Sequence, residues 1–255
     1  MAFLDGNHPR IIAHRGLSLE HAENTVGAFR AALGAGADIL ETDVHVSQDG
    51  VVIVAHDPTL DRVAGRPGLV SDFTAAQLAD MDLGFGEGFS SLDEVLTQFP
   101  DAKFNIDLKT PAAIEPFVEV IRSHQAHDRV LATSFDDSTR QSVINLLPEV
   151  ASSASRSVVV QARLRTWLGL PMDTWRVPPE IVALQIPPSM YGVALVTPSM
   201  LRLARRKNLE VHVWTINNPD DMKRLWQMGV HGIVTDRSDL AVEVRGEIFP
   251  GFTLN

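Results

Sequence analysis

Short apolar runs alternate with longer amphipathic stretches along most of the chain, and this rhythm predicts a repeating order of strand and helix. Most of the intervening stretches have helix length and begin at capping residues or prolines. Eight apolar runs of strand length lie outside one hairpin, at residues 10–13, 37–44, 103–108, 130–133, 150–153, 181–186, 210–215 and 231–235. Eight strands separated by helices predict an α/β fold of the closed (β/α)8 TIM-barrel type, with catalytic residues at the C-terminal ends of the strands.

The second predicted strand continues into a β-hairpin. It reaches Val46 in the hairpin arm, and only residues 47–50 separate it from the apolar run 51–55, whereas a parallel crossover needs about a dozen residues or more. The two runs therefore predict an antiparallel pair, with Asp49-Gly50 as the expected turn. Folding the chain about this turn returns His56 to the level of Thr42.

The strand and helix rhythm is interrupted between about residues 58 and 89. This stretch contains several glycines and prolines and one short predicted helix, which begins at Asp72 or Thr74 and runs through Met81. Its glycines at 84, 86 and 88 neither follow a strand nor open a helix, so they predict a flexible turn and not a phosphate-binding loop. We therefore expect one TIM-barrel catalytic domain over residues 1–255, with a small insertion after the hairpin.

Composition and charge exclude several classes of function. The chain has 22 Lys and Arg against 32 Asp and Glu, a formal net charge of −10, which argues against non-specific nucleic-acid binding. It has no cysteine, which excludes disulfides, thiolate catalysis and Cys-based zinc sites. The first ten residues lack the apolar core of a signal peptide, and no apolar run reaches the roughly eighteen residues of a membrane span. We expect a cytoplasmic protein with no stable membrane insertion.

Chemically active side chains accumulate at the predicted C-terminal ends of the first three barrel strands. His14 and Arg15 directly follow the first strand. On the second strand, Glu41 and Asp43 alternate, so both carboxylates lie on one face. The third strand is adjacent in a barrel, and the same alternation places its polar residues beside those acids. These residues are Asn105, Asp107 and Lys109.

Two interpretations of the acids are open. Converging carboxylates from Glu41, Asp43 and Asp107 predict a site for one divalent cation, Mg²⁺ or Ca²⁺, because hard cations prefer oxygen ligands. Alternatively, Arg15 and Lys109 neutralise the acids. With a cation present, the same two basic side chains would make an anion site inside an otherwise acidic protein.

His14 and His56 are the candidate acid and base. Histidine titrates near neutral pH and can lie on either side of a reacting centre. A lone histidine at a strand end is more often only a hydrogen-bonding residue. Two histidines that converge beside carboxylates and a guanidinium favour catalysis.

Further candidates lie at the same end of the barrel. Trp214 closes the seventh strand, either as a core plug or as a wall for the apolar part of a substrate. The loop 187–195 after the sixth strand is unusually apolar and includes Met190 and Tyr191. This loop either packs over the barrel rim or contacts an apolar leaving group.

These motifs resemble the glycerophosphodiester phosphodiesterase family. The matching motifs follow in order at 13–16 (AHRG), 23–25 (ENT), 40–44 (LETDV), 49–50 (DG), 56–60 (HDPTL), 105–109 (NIDLK), 213–217 (VWTIN) and 232–236 (GIVTD). The resemblance implies metal-dependent hydrolysis of a glycerophosphodiester to sn-glycerol 3-phosphate and an alcohol, on a TIM barrel with a small insertion. It further assigns Glu41, Asp43 and Asp107 to the cation, His14 and His56 to acid/base catalysis, and Arg15 and Lys109 to the phosphate.

The chain departs from the family pattern at two positions. Asp107 stands where the family usually has glutamate, which leaves open whether it coordinates the cation directly or through water. Ala22 replaces the usual proline before Glu23, with little expected effect on the chemistry.

Two other functions stay open at this point. The first is lysophospholipase D-like hydrolysis of lysophospholipids on the same barrel, with the apolar loop 187–195 holding the acyl chain. The second is a non-catalytic metal- or phosphate-binding barrel. Retention of both histidines with all three acids speaks against that second function, because binding alone needs no acid/base pair.

Overall fold

The computed structural model describes residues 2–6 and 8–250, which form a parallel barrel surrounded by helices. The strands of this part of the chain are β1 (Arg10–His14), β2 (Ile39–Val46), β3 (Val52–Val54), β4 (Phe104–Leu108), β5 (Val130–Thr133), β6 (Ala151–Ser153), β7 (Ile181–Ile186), β8 (Ser189–Met190), β9 (Val193–Ala194), β10 (Glu210–Val213) and β11 (Gly232–Thr235).

The α-helices, in chain order, are α1 (Val26–Ala35), α2 (Asp61–Ala64), α3 (Ala75–Ala79), α4 (Leu92–Gln98), α5 (Ile114–Ser123), α6 (Asp137–Leu146), α7 (Arg156–Leu168), α8 (Pro198–Arg206), α9 (Pro219–Gln227) and α10 (Ser238–Ile248). Short 3₁₀ helices span Ala2–Leu4, Val70–Asp72, Pro111–Ala113, Ala126–Asp128 and Met172–Thr174. Across the described residues, no helix combines the length and hydropathy needed to cross a bilayer.

Eight strands close the barrel. Their order is β1, β11, β10, β7, β6, β5, β4, β2, and β2 pairs with β1 again; every one of these pairs is parallel. The predicted (β/α)8 fold is confirmed, and the observed strand ends differ from the predicted ends by at most two residues. The C-terminal ends of all eight strands meet at one mouth of the barrel.

The hairpin extends β2 beyond the barrel as predicted. β3 runs antiparallel to β2, with Val54 opposite Val44. The backbone N–H of Ala55 then donates to the carbonyl of Asp43 at 2.9 Å. This register returns His56 to the level of the C-terminal mouth.

The stretch between residues 58 and 89 contains more helix than the sequence predicts. Only the helix capped by Thr74, α3, was expected; α2 and the 3₁₀ turn at 70–72 were not. The four residues of α2 are too few to show a helical period, and Gly65 ends the helix in the left-handed conformation. The segment packs on the hairpin around its own apolar cluster of Ile53, Ala55, Leu60, Val70, Leu78, Met81 and Phe89.

A buried ion pair closes the opposite end of the barrel interior. Arg10 and Glu210 begin β1 and β10, and Arg10 Nε donates to Glu210 Oε2 at 3.0 Å. His212 Nε2 lies 2.8 Å from the same oxygen. Burial alone raises the pKa of Glu210, but the contacts with His212 and Arg10 outweigh it and lower that pKa to about 2. A separate apolar cluster that includes Phe3 and Ile12 is also buried.

Candidate active site

The carboxylates predicted on neighbouring strands lie in adjacent positions of the barrel. The register of β2 and β4 pairs Glu41 with Asn105 and Asp43 with Asp107. Lys109 Nζ lies 2.6 Å from Asp43 Oδ1 and 2.6 Å from Asp107 Oδ2. A lysine ammonium therefore joins the second strand of the barrel to the third.

Arg15 turns the chain at the end of β1, with a positive φ of 56°. Its backbone N–H donates to Glu41 Oε2 at 3.2 Å, and its guanidinium donates to Glu23 Oε1 at 3.1 Å. Gly16 follows with a φ of 84°, and a Cβ at this position would lie 2.7 Å from the backbone carbonyl carbon of Ala28. Glycine thus permits the close approach of α1 that holds the Arg15 loop.

Burial and like charge change the proton affinity of this cluster. Burial, and then the carboxylates of Asp43 and Asp107, raise the pKa of Glu41 well above its usual value. Burial also raises the pKa of Asp107, against the opposing charge of Lys109. Burial would lower the pKa of Lys109, but Asp43 and Asp107 outweigh it and raise that pKa. The site therefore favours additional positive charge.

The donor set fits a hard divalent cation. Among the described residues, no group of three or more Asp, Glu or His side chains is arranged to hold a metal ion as the side chains stand. Yet Asp43 Oδ2, Asn105 Oδ1 and Asp107 Oδ1 are buried without a hydrogen-bond partner in this part of the chain. Asp43 Oδ2 lies 3.6 Å from Arg15 Nε, an ion pair beyond hydrogen-bond distance. Such orphaned oxygens cost roughly 1–3 kcal/mol each. Oxygen atoms of this kind suit Mg²⁺ or Ca²⁺ and not a soft metal.

His14 is oriented by a carboxylate from the neighbouring strand. Asp236 follows β11, and its Oδ1 lies 2.6 Å from His14 Nδ1. Asn217 Nδ2 donates to Asp236 Oδ2 at 2.6 Å, and the backbone N–H of Asp236 donates back to Asn217 Oδ1 at 2.9 Å. The hydrogen bond with His14 lowers the pKa of Asp236. With Nδ1 engaged, the Nε2 atom of His14 is the one left for a substrate.

His56 has an equivalent partner. Asp57 Oδ1 lies 2.7 Å from His56 Nδ1, and Arg62 Nε donates to Asp57 Oδ2 at 2.5 Å. The guanidinium of Arg62 also donates to both oxygens of Glu23, at 2.6 and 2.9 Å. Burial raises the pKa of Asp57, but the bonds from His56 and Arg62 outweigh it and lower that pKa. Glu23 also binds Arg15. A continuous series of ion pairs therefore runs from Arg15 after β1, through Glu23 and Arg62, to Asp57 beside His56.

The glycine-rich turn of the insertion is anchored to the active-site loop. Glu87 Oε2 accepts from the backbone N–H of Ala22 at 2.8 Å and from Thr25 Oγ1 at 3.0 Å, and its Oε1 lies 2.9 Å from His21 Nδ1. The turn is therefore held in place, because the Glu87 carboxylate braces the loop that carries Glu23.

Aromatic side chains form a wall beside the polar cluster. The ring of Trp214 meets Phe135 edge to face at 6.2 Å, and Lys109 Nζ lies 5.7 Å from the centre of the Phe135 ring. Trp214 also packs on the inner apolar cluster. Met190 and Tyr191 lie on the β8–β9 hairpin that follows β7, and both are exposed, Tyr191 to 93%.

The structure brings seven of the predicted residues to one mouth, and it adds others that had no predicted role. The predicted set is His14, Arg15, Glu41, Asp43, His56, Asp107 and Lys109. The additional residues are Glu23, Arg62, Asp57, Asn217 and Asp236. Four of them, Glu23, Asp57, Asn217 and Asp236, lie in the motifs that carry the family resemblance, but only the structure shows which side chains they hold.

Comparison with known proteins agrees with this geometry. Residues 14–240 match the model of the glycerophosphoryl diester phosphodiesterase family. A Mycobacterium tuberculosis protein described as a probable glycerophosphodiester phosphodiesterase 2 is 38% identical over 92% of this chain and 91% of its own length.

Two solved structures at 26% identity have the same fold. A glycerophosphodiester phosphodiesterase from Agrobacterium tumefaciens has a TM-score of 0.77, with 93% of this chain and 99% of that chain covered. An Oleispira antarctica phosphodiesterase in complex with the product sn-glycerol-3-phosphate has a TM-score of 0.75, with 93% and 96% covered. The chain belongs to the glycerophosphoryl diester phosphodiesterase family.

Proposed function

We propose that this enzyme is a metal-dependent phosphodiesterase that hydrolyses glycerophosphodiesters to sn-glycerol 3-phosphate and an alcohol. The observation that carries the proposal is the pair of histidines, each held at Nδ1 by its own carboxylate, at 2.6 Å for His14 and 2.7 Å for His56. A site that only bound phosphate would need no such pair. The reaction needs a proton removed from the nucleophile and a proton given to the leaving alkoxide.

In this mechanism Arg15 and Lys109 hold the phosphate. The guanidinium of Arg15 offers a planar donor pair for phosphate oxygens, and Lys109 is a compact positive charge. Both side chains are already engaged with carboxylates, which keeps them in place before substrate binds. Preorganised cations offset the charge that accumulates on the phosphoryl oxygens in the transition state.

His14 acts as the base and His56 as the acid. The base removes a proton from the nucleophile, which is either water or the glycerol hydroxyl next to the phosphate, and the acid protonates the departing alcohol oxygen. If the glycerol hydroxyl attacks, the product of this step is a cyclic phosphate, which water then opens to glycerol 3-phosphate with the two histidines in exchanged roles. Asp236 and Asp57 stabilise the imidazolium form of their histidine when it carries the proton.

Glu41, Asp43 and Asp107 would hold a divalent cation. When bound, this cation supplies charge neutralisation at the phosphodiester and polarises its oxygen atoms. The orphaned oxygens of Asp43 and Asp107 support this assignment. Lys109 and the cation are then alternative partners for the same carboxylates.

The test is the release of glycerol 3-phosphate from glycerophosphocholine, with and without EDTA, followed by addition of Mg²⁺ or Ca²⁺. The proposal expects release that EDTA abolishes and one of the two metals restores. Release that is insensitive to EDTA would contradict the cation assignment while preserving the hydrolytic activity. No release with either metal would overturn the proposed reaction.

A second substrate class is favoured by the exposed aromatic wall. Phe135 is 67% exposed and lies beside Lys109, so an apolar group on the substrate could pack there. Rates on glycerophosphocholine and lysophosphatidylcholine should be compared under the same metal conditions. A preference for lysophosphatidylcholine would assign the enzyme as a lysophospholipase D.

A further inference from the structure

Helix α7 exposes an apolar stripe on the side that faces away from the barrel. The stripe consists of Val160, Leu164, Trp167 and Leu168, which recur at helical spacing and so share one face. Trp167 is 70% exposed and Leu168 is 59% exposed. The opposite side of the helix packs on the core through the fully buried Ala162. Apolar residues clustered in this way differ from the single exposed apolar side chains that are normal on a protein surface.

Arginines border the stripe. At about 100° per residue, Arg156 and Arg163 lie along one edge of it and Arg165 lies beyond the other. Helix α7 has no acidic residue, and the chain has none between Glu149 and Asp173. Within the described part of the chain, none of the three arginines forms an ion pair. No carboxylate among the described residues therefore neutralises their charges, although Arg165 Nη1 donates to the carbonyl of Pro171 at 3.3 Å and to Thr174 Oγ1 at 3.1 Å.

The charge of this region is opposite to that of the rest of the molecule. Residues 156–207 contain eight Arg and Lys and only two acidic residues, Asp173 and Glu180, although the whole chain has a net charge of −10. The basic end of α8 lies beside the segment that follows α7, because Lys207 Nζ donates to the carbonyl of Asp173 at 3.3 Å. Arg206 also approaches the Asp173 carboxylate at 3.6 Å. The basic surface thus extends from α7 to α8.

We propose that the α7 stripe, defined as Val160, Leu164, Trp167 and Leu168 with its bordering arginines, docks the enzyme peripherally on anionic lipid bilayers. An exposed apolar strip edged by arginine suits the boundary between head groups and acyl chains. Tryptophan favours that boundary, and anionic head groups attract the basic side chains. The surface belongs to the outside of the barrel, away from the catalytic residues.

Charge distinguishes a bilayer from a second copy of the chain. Two copies related by a two-fold axis would place the same stripe against itself. The unpaired arginines of both copies would then face one another, which is unfavourable. An anionic surface satisfies the apolar stripe and the arginines together.

The experiment is flotation of the intact protein with vesicles of phosphatidylcholine alone or of phosphatidylcholine mixed with phosphatidylglycerol. Binding is expected only to the mixed vesicles and should weaken with added salt. Trp167→Ser/Leu168→Ser and Arg156→Gln/Arg163→Gln should each weaken this binding about tenfold or more. Binding of the mixed vesicles should shift the tryptophan emission to the blue. Trp167→Phe should bind but lose most of that shift, since Trp175 and Trp226 are already buried and Trp214 packs against Phe135 beside the polar cluster.

Matched controls separate this surface from general effects of charge and apolarity. Leu146→Ser removes an exposed leucine from α6, and Arg224→Gln removes an exposed arginine from α9; both should bind vesicles like the unmodified protein. All variants should retain phosphodiesterase activity on a water-soluble substrate. No binding to the mixed vesicles, or equal binding by the stripe variants, would overturn the proposal. A dimer in solution that Trp167→Ser dissociates would also overturn it, because the stripe would then be an interface between two copies.

Discussion

Asp236→Asn tests whether the carboxylate beside His14 takes part in catalysis. Asp236 accepts from two donors at once, His14 Nδ1–H and Asn217 Nδ2–H, each at 2.6 Å. An asparagine has a single acceptor oxygen, so one of these donors would face an amide NH₂ group. The variant therefore loses at least one charge-assisted hydrogen bond, which contributes about 1.5–3 kcal/mol.

If that free energy stabilises the transition state through His14, kcat should fall about 10- to 100-fold, since each 1.36 kcal/mol corresponds to about tenfold in rate. The assay is steady-state release of glycerol 3-phosphate, with kcat and KM determined separately. Asp239→Asn is the matched control, because Asp239 pairs with Arg237 at 2.7 Å on the surface three residues further along the chain. That control should have unchanged kcat.

The double variant decides how Asp236 acts. In a His14→Ala background, Asp236→Asn should cause little further loss, because a residue that works only through His14 has nothing left to orient. A further tenfold loss in that background, or an unchanged kcat in the single variant, would refute the reasoning.

Three further predictions follow from the same geometry. The His56→Ala variant should lose about 10²- to 10⁴-fold in rate on glycerophosphocholine. The loss should be far smaller on an aryl phosphodiester, because its leaving group needs no proton. Equal losses on both substrates would contradict the assignment of His56 as the acid. Lys109→Met should lower the free energy of unfolding of the metal-free protein in urea by about 3–5 kcal/mol, because buried carboxylates lose their partner. Mg²⁺ should then stabilise this variant more than it stabilises the unmodified protein. Equal stabilisation of both proteins by Mg²⁺ would count against the cation site. Glu210 has a folded-state pKa of about 2, below its unfolded value, so it contributes stability above the unfolded pKa that is lost as the pH falls towards 2. This contribution amounts to about 3 kcal/mol. In urea unfolding, Glu210→Gln should therefore lose less stability between pH 5 and pH 2 than the unmodified protein does. Parallel stability profiles of the two proteins over this pH range would argue against the prediction.

The amino-acid sequence by itself determined the barrel and most of the polar mouth. Strand periodicity placed Glu41 and Asp43 on one face, and the short connection at 47–50 required the hairpin that returns His56. These features depend on local spacing and on the small number of ways in which a strand can pair. The sequence also contains the basic, acid-free composition of α7, although its exposure cannot be read from composition.

Only the tertiary structure decided which charges are partners. Asp236 is 222 residues from His14 along the chain, and Arg62 meets Glu23 across 39 residues, so no local pattern could connect them. The same is true of Glu87, because its turn has the glycine content of a flexible loop, whereas residues 21–25 bind the Glu87 carboxylate across more than sixty positions of the chain. Barrel closure brings the ammonium of Lys109 to both Asp43 and Asp107, on two different strands. The physical reason is that hydrogen bonds and ion pairs act over a few ångströms in space, whereas sequence patterns report only on neighbours along the chain.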